Sequence, residues 1–402
     1  MKKEERDEYE KTYGLFKFKR PLPSEIKSAM GLVGESILFK KLISQDYERF
    51  YDPIKIPDMR DWLCTHKEYG QTYNEYIEKD IIPVDPNHNK IYIIRLFNTD
   101  NDDLIKEEFF QYIINLLEAF FSGMKIEVTS SYMNNTENNS ENVDENNGEN
   151  NGENNGENNE NNNDENNNEE NNNENNNNNE NKKESNNNNE NEENNNINKS
   201  QLDKTPVNAD LLLDKLKFEV PPDAFCVFGL IDRDLYTENV QNGKLIIKAV
   251  YGKRSLPDRV GIFSFARFDP FFNFSAKEKS LTKEQNFKIF LILMKRICSA
   301  ITRELCYMFG MKNCIFLSCC MNGTSASEFD SKQIELCPIC LRKLITNISA
   351  KGLDLKNYRV KNPLVVYERF VKMRDALENF SGLYENEVNW FNARIEFLKT
   401  LI

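Results

Sequence analysis

The chain has 402 residues, 39% of them hydrophobic, and a formal net charge of −13. Nearly all of that charge lies in one stretch: Ser131 to Ser200 holds 18 Asp and Glu against three Lys, a balance of −15, so the remainder stands near +2. The remainder therefore presents no strong field toward nucleic acid or a membrane surface, and we expect neither as a partner.

Met1 to Glu10 is charged throughout and has no apolar h-region, and the most apolar run, Ile289 to Met294, lies between Lys288 and Lys295. We expect no signal peptide and no spanning helix. An intracellular setting, cytoplasmic or nuclear, follows as an expectation. In a reducing compartment the nine cysteines are metal ligands or buried thiols rather than disulfides.

Residues 1–90 read as a helical and loop extension, with mixed apolar and charged patches at Ser36 to Tyr51 and a segment Asp61-Trp62-Leu63-Cys64-Thr65-His66. Residues 91–402 read as the main domain. Ile91 to Phe97 is a β-branched, aromatic run that predicts a strand, Leu104 to Phe121 has helical spacing, and Met124 to Val128 predicts the next strand, a β-α-β unit. At about 131–205 an Asn/Glu-rich insertion interrupts the domain, with too few apolar residues to offset the entropy of ordering them.

The chain resumes with a helix over Ala209 to Phe218. Phe225 to Ile231 and Val260 to Phe268 predict two further strands, the first a continuous apolar run that suits a strand covered on both faces. A long helix is expected over Lys283 to Phe309, closed at Gly310 by a left-handed cap. After a cysteine-bearing loop come carboxy-terminal helices, with Pro363 as a start signal and a stripe of Phe370, Met373, Leu377 and Phe380.

Four cysteines carry the clearest chemistry. Cys314 and Cys319 are spaced C-x4-C, and after seventeen intervening residues Cys337-Pro338-Ile339-Cys340 closes the set. Two close pairs of thiolates joined by a short loop can meet tetrahedrally as a closed structural zinc site, with backbone N–H groups steadying the sulfurs. Ordinary buried cysteines are the plainer alternative, and Cys298, Cys306 and Cys320, which follow no such pattern, are expected only to pack.

From Arg303 to Met321 the sequence reads R-E-L-C-Y-M-F-G-M-K-N-C-x4-C-C-M, and C-P-I-C follows after fifteen further residues. This resembles the archaemetzincin signature H-E-x-x-H-x-x-G-x-x-H-C-x4-C-x-M followed by C-x-x-C. Glu304, Gly310, Cys314, Cys319, Met321, Cys337 and Cys340 match it; the gap before the last pair is slightly shorter. Pro222 to Cys226, Asp234 to Tyr236 and Val260 to Arg267 also look like family segments. The resemblance implies a mixed α/β (α+β) fold: a metzincin-like mixed sheet, a long active-site helix, a four-cysteine zinc-stapled loop and C-terminal helices.

In metzincins three histidines hold a catalytic zinc, the Glu beside the first is the general base, and a Met-turn lies beneath the metal. Carried over residue by residue, the general-base position is Glu304, the Met-turn residue is Met321, and the ligand positions are Arg303, Tyr307 and Asn313. None of the three is an imidazole, and the chain has only His66 and His88. Arg cannot lose its proton, Tyr would have to ionise from a pKa near 10, and Asn is a poor ligand.

The resemblance therefore implies an inactive homologue with one structural zinc, no second catalytic zinc, and a groove free to bind a peptide or protein partner. An active metallopeptidase with unorthodox ligands, or another hydrolase using Cys306, is the alternative. A zinc-stapled interaction module whose groove is idle is the third reading.

Overall fold

The computed structural model describes residues 16–96, 107–130, 205–269, 272, 282–331, 333–380 and 382–402. The Asn/Glu-rich insertion expected at about 131–205 lies outside them, save its last residue.

Ile91, Ile93 and Ile94 bury the strand Lys90–Arg95 (β1), and the helix Glu107–Phe120 leads to Lys125–Ser130 (β2), which pairs parallel with β1 from Lys90↔Lys125 to Arg95↔Ser130. A right-handed crossover helix is the usual way to join two parallel neighbours. Val207–Asn208 (β3) precedes a helix at Ala209–Phe218, capped by the Asn208 side chain on the N–H groups of Asp210 and Leu211. Ala224–Ile231 (β4) is buried at every position, as its unbroken apolar run predicts.

Leu235–Gln241 (β5) and Lys244–Val250 (β6) form a hairpin, followed by Gly252–Ser255 (β7) and Val260–Ser264 (β8). The main sheet runs β2-β1-β4-β8-β7, parallel except for β7, which is antiparallel to β8; β3, β5 and β6 form a separate three-stranded sheet. The strand expected over Val260 to Phe268 ends early, at Ser264. Phe265 leaves the extended region at φ −101°, ψ 3°, and Ala266–Phe268 is a single 3-10 turn.

With the short helices numbered in chain order, Pro23–Ala29 is α1, Ile37–Ser44 α2, Glu107–Phe120 α3 and Ala209–Phe218 α4. The long helix Lys283–Met308 (α5) starts in a Thr282/Gln285 capping box, and Pro338–Ala350 (α6), Val365–Glu378 (α7) and Glu385–Lys399 (α8) follow. One-turn helices at Tyr47–Phe50 and Trp62–Thr65, and the helical turns Tyr73–Glu75 and Tyr76–Asp80, lie in the amino-terminal part.

Gly310 ends α5 at φ +82°, and a Cβ there would stand 1.8 Å from the Asp80 carbonyl oxygen. Only glycine meets both demands, and the turn sends the chain back toward the cysteines. The amino-terminal residues Phe39, Leu42, Tyr47, Tyr73 and Tyr76 share one apolar core with the sheet, α5, α6 and the carboxy-terminal helices. Among the described residues no helix is long and apolar enough to cross a membrane.

Candidate metal centre and the helix beside it

The four cysteines meet. The sulfurs of Cys314, Cys319, Cys337 and Cys340 all lie within 4.8 Å of one another, and all four residues are buried. Cys314 Sγ and Cys337 Sγ are 3.7 Å apart. A tetrahedral zinc with Zn–S bonds of about 2.3 Å needs S···S separations of about 3.8 Å, so this all-thiol donor set suits that ion.

The protein holds this geometry from several sides. Cys337 is the N-cap of α6 with Pro338 in the first helical turn, so Cys340 follows on the same opening turn. The N–H groups of Cys337 and Met321 donate to Cys319 Sγ at 3.2 and 3.5 Å, and the Cys314 N–H donates to the Met321 carbonyl at 2.9 Å. The bond from the Cys337 N–H reaches across from one cysteine pair to the other. Asn322 locks the loop: its Nδ2 donates to the carbonyls of Cys314 and Leu317, and its Oδ1 accepts from the Cys319 N–H. Met321 itself is fully buried. Cys298, Cys306 and Cys320 are buried outside the cluster.

The last turns of α5 place Arg303, Glu304 and Tyr307 together, and the Gly310 turn brings Asn313 to them. The Tyr307 hydroxyl donates to Asn313 Oδ1, and Asn313 Nδ2 donates to Glu68 Oε1 at 2.6 Å. Glu68 Oε1 also accepts from Trp62 Nε1 at 2.8 Å. On the other side, Arg254 from β7 donates to Glu304 Oε2 at 2.9 Å and lays its guanidinium over the Tyr307 ring, 4.0 Å from the centroid. Arg303 donates to Thr324 Oγ1 at 2.9 Å and stands 3.5 Å from Glu304 Oε1. Glu304 is thus flanked by two arginines, with Arg254 the closer partner.

The result is one continuous polar chain running Trp62, Glu68, Asn313, Tyr307, Arg254, Glu304, Arg303, Thr324. Burial works against the Arg303 charge, but Tyr307 and Glu304 beside it outweigh burial and hold its pKa above the ordinary guanidinium value. Burial likewise pushes the Tyr307 phenol well up. A fixed cation, a neutral phenol and an amide already committed to Glu68 do not fit a second zinc.

Neither histidine stands at a ligand position on this helix end, although His66 packs on the first member of the polar chain. His66 stacks on Trp62 with ring centroids 3.4 Å apart, and His88 Nδ1 is 2.7 Å from Asp85 Oδ2. Burial pushes the Cys306 thiol well above its usual value, the opposite of what a thiolate nucleophile requires. Glu68, Arg254 and Thr324 were missed by motif reading. Arg254 had a usable signal, the Asn242-Gly243 pair, whose positive φ angles make the tight turn between β5 and β6; β7 follows directly from that hairpin.

No family model matches the chain. Curated relatives do. Archaemetzincin-2 of Pongo abelii is 27% identical over 310 residues, covering 73% of this chain and 69% of that protein, and its Homo sapiens counterpart is 26% identical with the same coverage. Archaemetzincin-1 of Homo sapiens is 33% identical over 159 residues, 35% of this chain and 31% of that protein. Among solved structures, an archaemetzincin from Methanopyrus kandleri matches 65% of this chain and 97% of its own at 16% identity, with a TM-score of 0.35. The likeness rests on the sequence matches: over nearly three quarters of its length the chain is similar to archaemetzincin-2 proteins.

Proposed function

We propose that the chain is a catalytically inactive archaemetzincin homologue that keeps one structural zinc on Cys314, Cys319, Cys337 and Cys340, and uses the groove beside α5 to bind a peptide or protein segment inside the cell. The observation that carries this reading is the polar chain from Trp62 to Thr324. In the family signature Arg303, Tyr307 and Asn313 stand where histidines stand, and here each is committed to a protein partner.

Arg303 supplies a positive charge near Glu304 that needs no metal, and Arg254 clamps the same carboxylate from the edge strand. Glu304 is thereby a salt-bridge partner rather than a base facing water. A general base contributes roughly 10² to 10⁴-fold, but in this chemistry it acts on water that zinc has acidified and held. A cleft of about 370 Å³ lined by Glu68, Arg254, Tyr307, Met311 and Asn313 leaves room for a ligand. Beside it β7 ends the sheet with no further strand paired to it among the described residues, an edge onto which an extended segment can add.

Metal stoichiometry on the purified chain tests the reading, with one zinc expected. The triple variant Arg303→His, Tyr307→His, Asn313→His is expected to raise that to two. Chelator-sensitive cleavage of peptides by the unmodified protein, abolished by Glu304→Ala, would overturn it.

A further inference from the structure

The hairpin of β5 and β6 is anchored at one end only. Val207–Asn208 pairs with Leu235 and Tyr236, and Leu235 and Thr237 are buried, but from Glu238 to Ala249 every residue is exposed. Beyond Tyr236 the described sheet is two strands wide, and a two-stranded ribbon is marginal in water until a third strand joins it. We propose that the free edge of β6 takes up an extended segment of another protein in which apolar residues alternate with Asp or Glu.

The register fixes what that edge offers. Asn242 and Gly243, at φ +52° and +73°, make a two-residue turn, so Gln241↔Lys244 is the first hydrogen-bonded pair of the ladder. Lys244, Ile246 and Lys248 therefore spend their backbone groups on β5, and Leu245, Ile247 and Ala249 turn theirs outward. Among the described residues β6 is the last strand of its sheet. The side chains sort by the same alternation. Val240, Leu245 and Ile247 share one face and are 72%, 59% and 63% exposed, with Glu238 opposite Ile247. Lys244 and Lys248 share the other face, where neither strand of the hairpin carries a carboxylate.

These two faces select the occupant. A strand laid along β6 sets every second side chain over the apolar face, where it covers aliphatic groups now in water. Its intervening side chains come level with Lys244 and Lys248, and opposite charges on cross-strand neighbours are favourable where like charges are not. A second copy of this chain fits less well, because antiparallel pairing of β6 with itself gathers the lysines of both copies on one face. β5 offers a shorter free edge, being paired to β3 at Leu235 and Tyr236, and it has no lysine. The hairpin shares no residue with the groove beside α5, and the inference stands or falls without that groove.

A fluorescein-labelled peptide Thr-Val-Glu-Val-Thr-Val-Glu-Thr, laid antiparallel, sets its glutamates opposite Lys248 and Lys244 and its valines opposite Ala249, Ile247 and Leu245. Fluorescence anisotropy with the full chain is expected to show saturable binding, and the same peptide with Gln for both glutamates should bind about tenfold more weakly. Lys244→Glu combined with Lys248→Glu, both at exposed positions, should abolish the preference for glutamate. Ile247→Pro removes an outward N–H and no bond to β5, and should prevent binding; the lysine variants decide the matter should it fail to fold. No saturable binding, equal binding of the two peptides, or an unchanged preference in the lysine variant would overturn the assignment. So would binding that survives the hairpin changes and is lost in Arg254→Ala, which belongs to the edge of β7, or a dimer in sedimentation that Ile247→Pro dissociates, which gives the edge to a second copy.

Discussion

At the scale of single residues, the cysteine cluster shows how much one atom can decide. Each sulfur lies within 4.8 Å of the other three, so replacing one leaves three ligands around a buried ion and an incomplete shell. Because a structural zinc contributes its binding free energy to folding, Cys337→Ser is expected to lose the metal and to lower the melting temperature by on the order of 10 °C. Cys64→Ser, half-buried and outside the cluster, should keep both. Zinc content and thermal melting of the two variants check this, and retained zinc in Cys337→Ser would count against the assignment. Gly310 is as demanding for a different reason: Gly310→Ala meets a backbone carbonyl and a positive φ together, and a loss of more than about 2 kcal/mol in urea unfolding is expected.

At the scale of elements, α5 is the organiser. It carries Arg296 in its middle, Arg303, Glu304 and Tyr307 near its end, and through Gly310 it aims Asn313 and the first cysteine pair. Arg296 reaches out to the 3-10 turn Ala326–Ser331, where Nε and Nη2 grip the two oxygens of Asp330 at 2.6 and 2.8 Å. That pairing holds the Asp330 carboxyl below its ordinary value of 3.8. Since the folded-state pKa is the depressed one, the stabilisation is fully present above 3.8 and disappears as pH falls through the lower, folded-state value. Asp330→Asn should therefore be less stable at neutral pH by no more than about 1 kcal/mol, because water screens so exposed a pair, and the gap should close in acid. Urea midpoints of both proteins measured from pH 7 down to about pH 3 check the sign.

At the scale of the whole molecule, buried arginines bind distant parts of the chain to one another. Arg342 of α6 donates to the Met30 carbonyl at 2.5 Å and to Glu35 at 3.0 Å, with both side chains almost wholly buried. Arg394 of α8 donates to the carbonyls of Leu42 and Gln45, and Arg369 of α7 to the Phe120 carbonyl at the end of α3. Removing one partner of a buried pair strands the other charge. Arg342→Met is expected to cost roughly 3 to 5 kcal/mol, whereas Arg342→Met combined with Glu35→Gln should recover a large part of it. A double-mutant cycle by chemical denaturation measures the difference.

The same scale separates what could be read along the chain from what could not. The cysteine spacing, the unbroken apolar run of β4, the β-α-β opening and the glycine that closes α5 are local patterns, and each appears in the structure because its cause is local: ligand spacing, burial on both faces, side-chain periodicity, a φ that only glycine accepts cheaply. The end of β8 was misplaced because Phe265 and Phe268 are as apolar as the strand before them; hydrophobicity does not register where the backbone leaves the extended region. The polar chain around Arg303 was out of reach for a deeper reason. Glu68, Arg254 and Thr324 lie far from α5 in sequence and belong to no motif, and a side chain's hydrogen-bond partner is set by which elements the packed core brings alongside it.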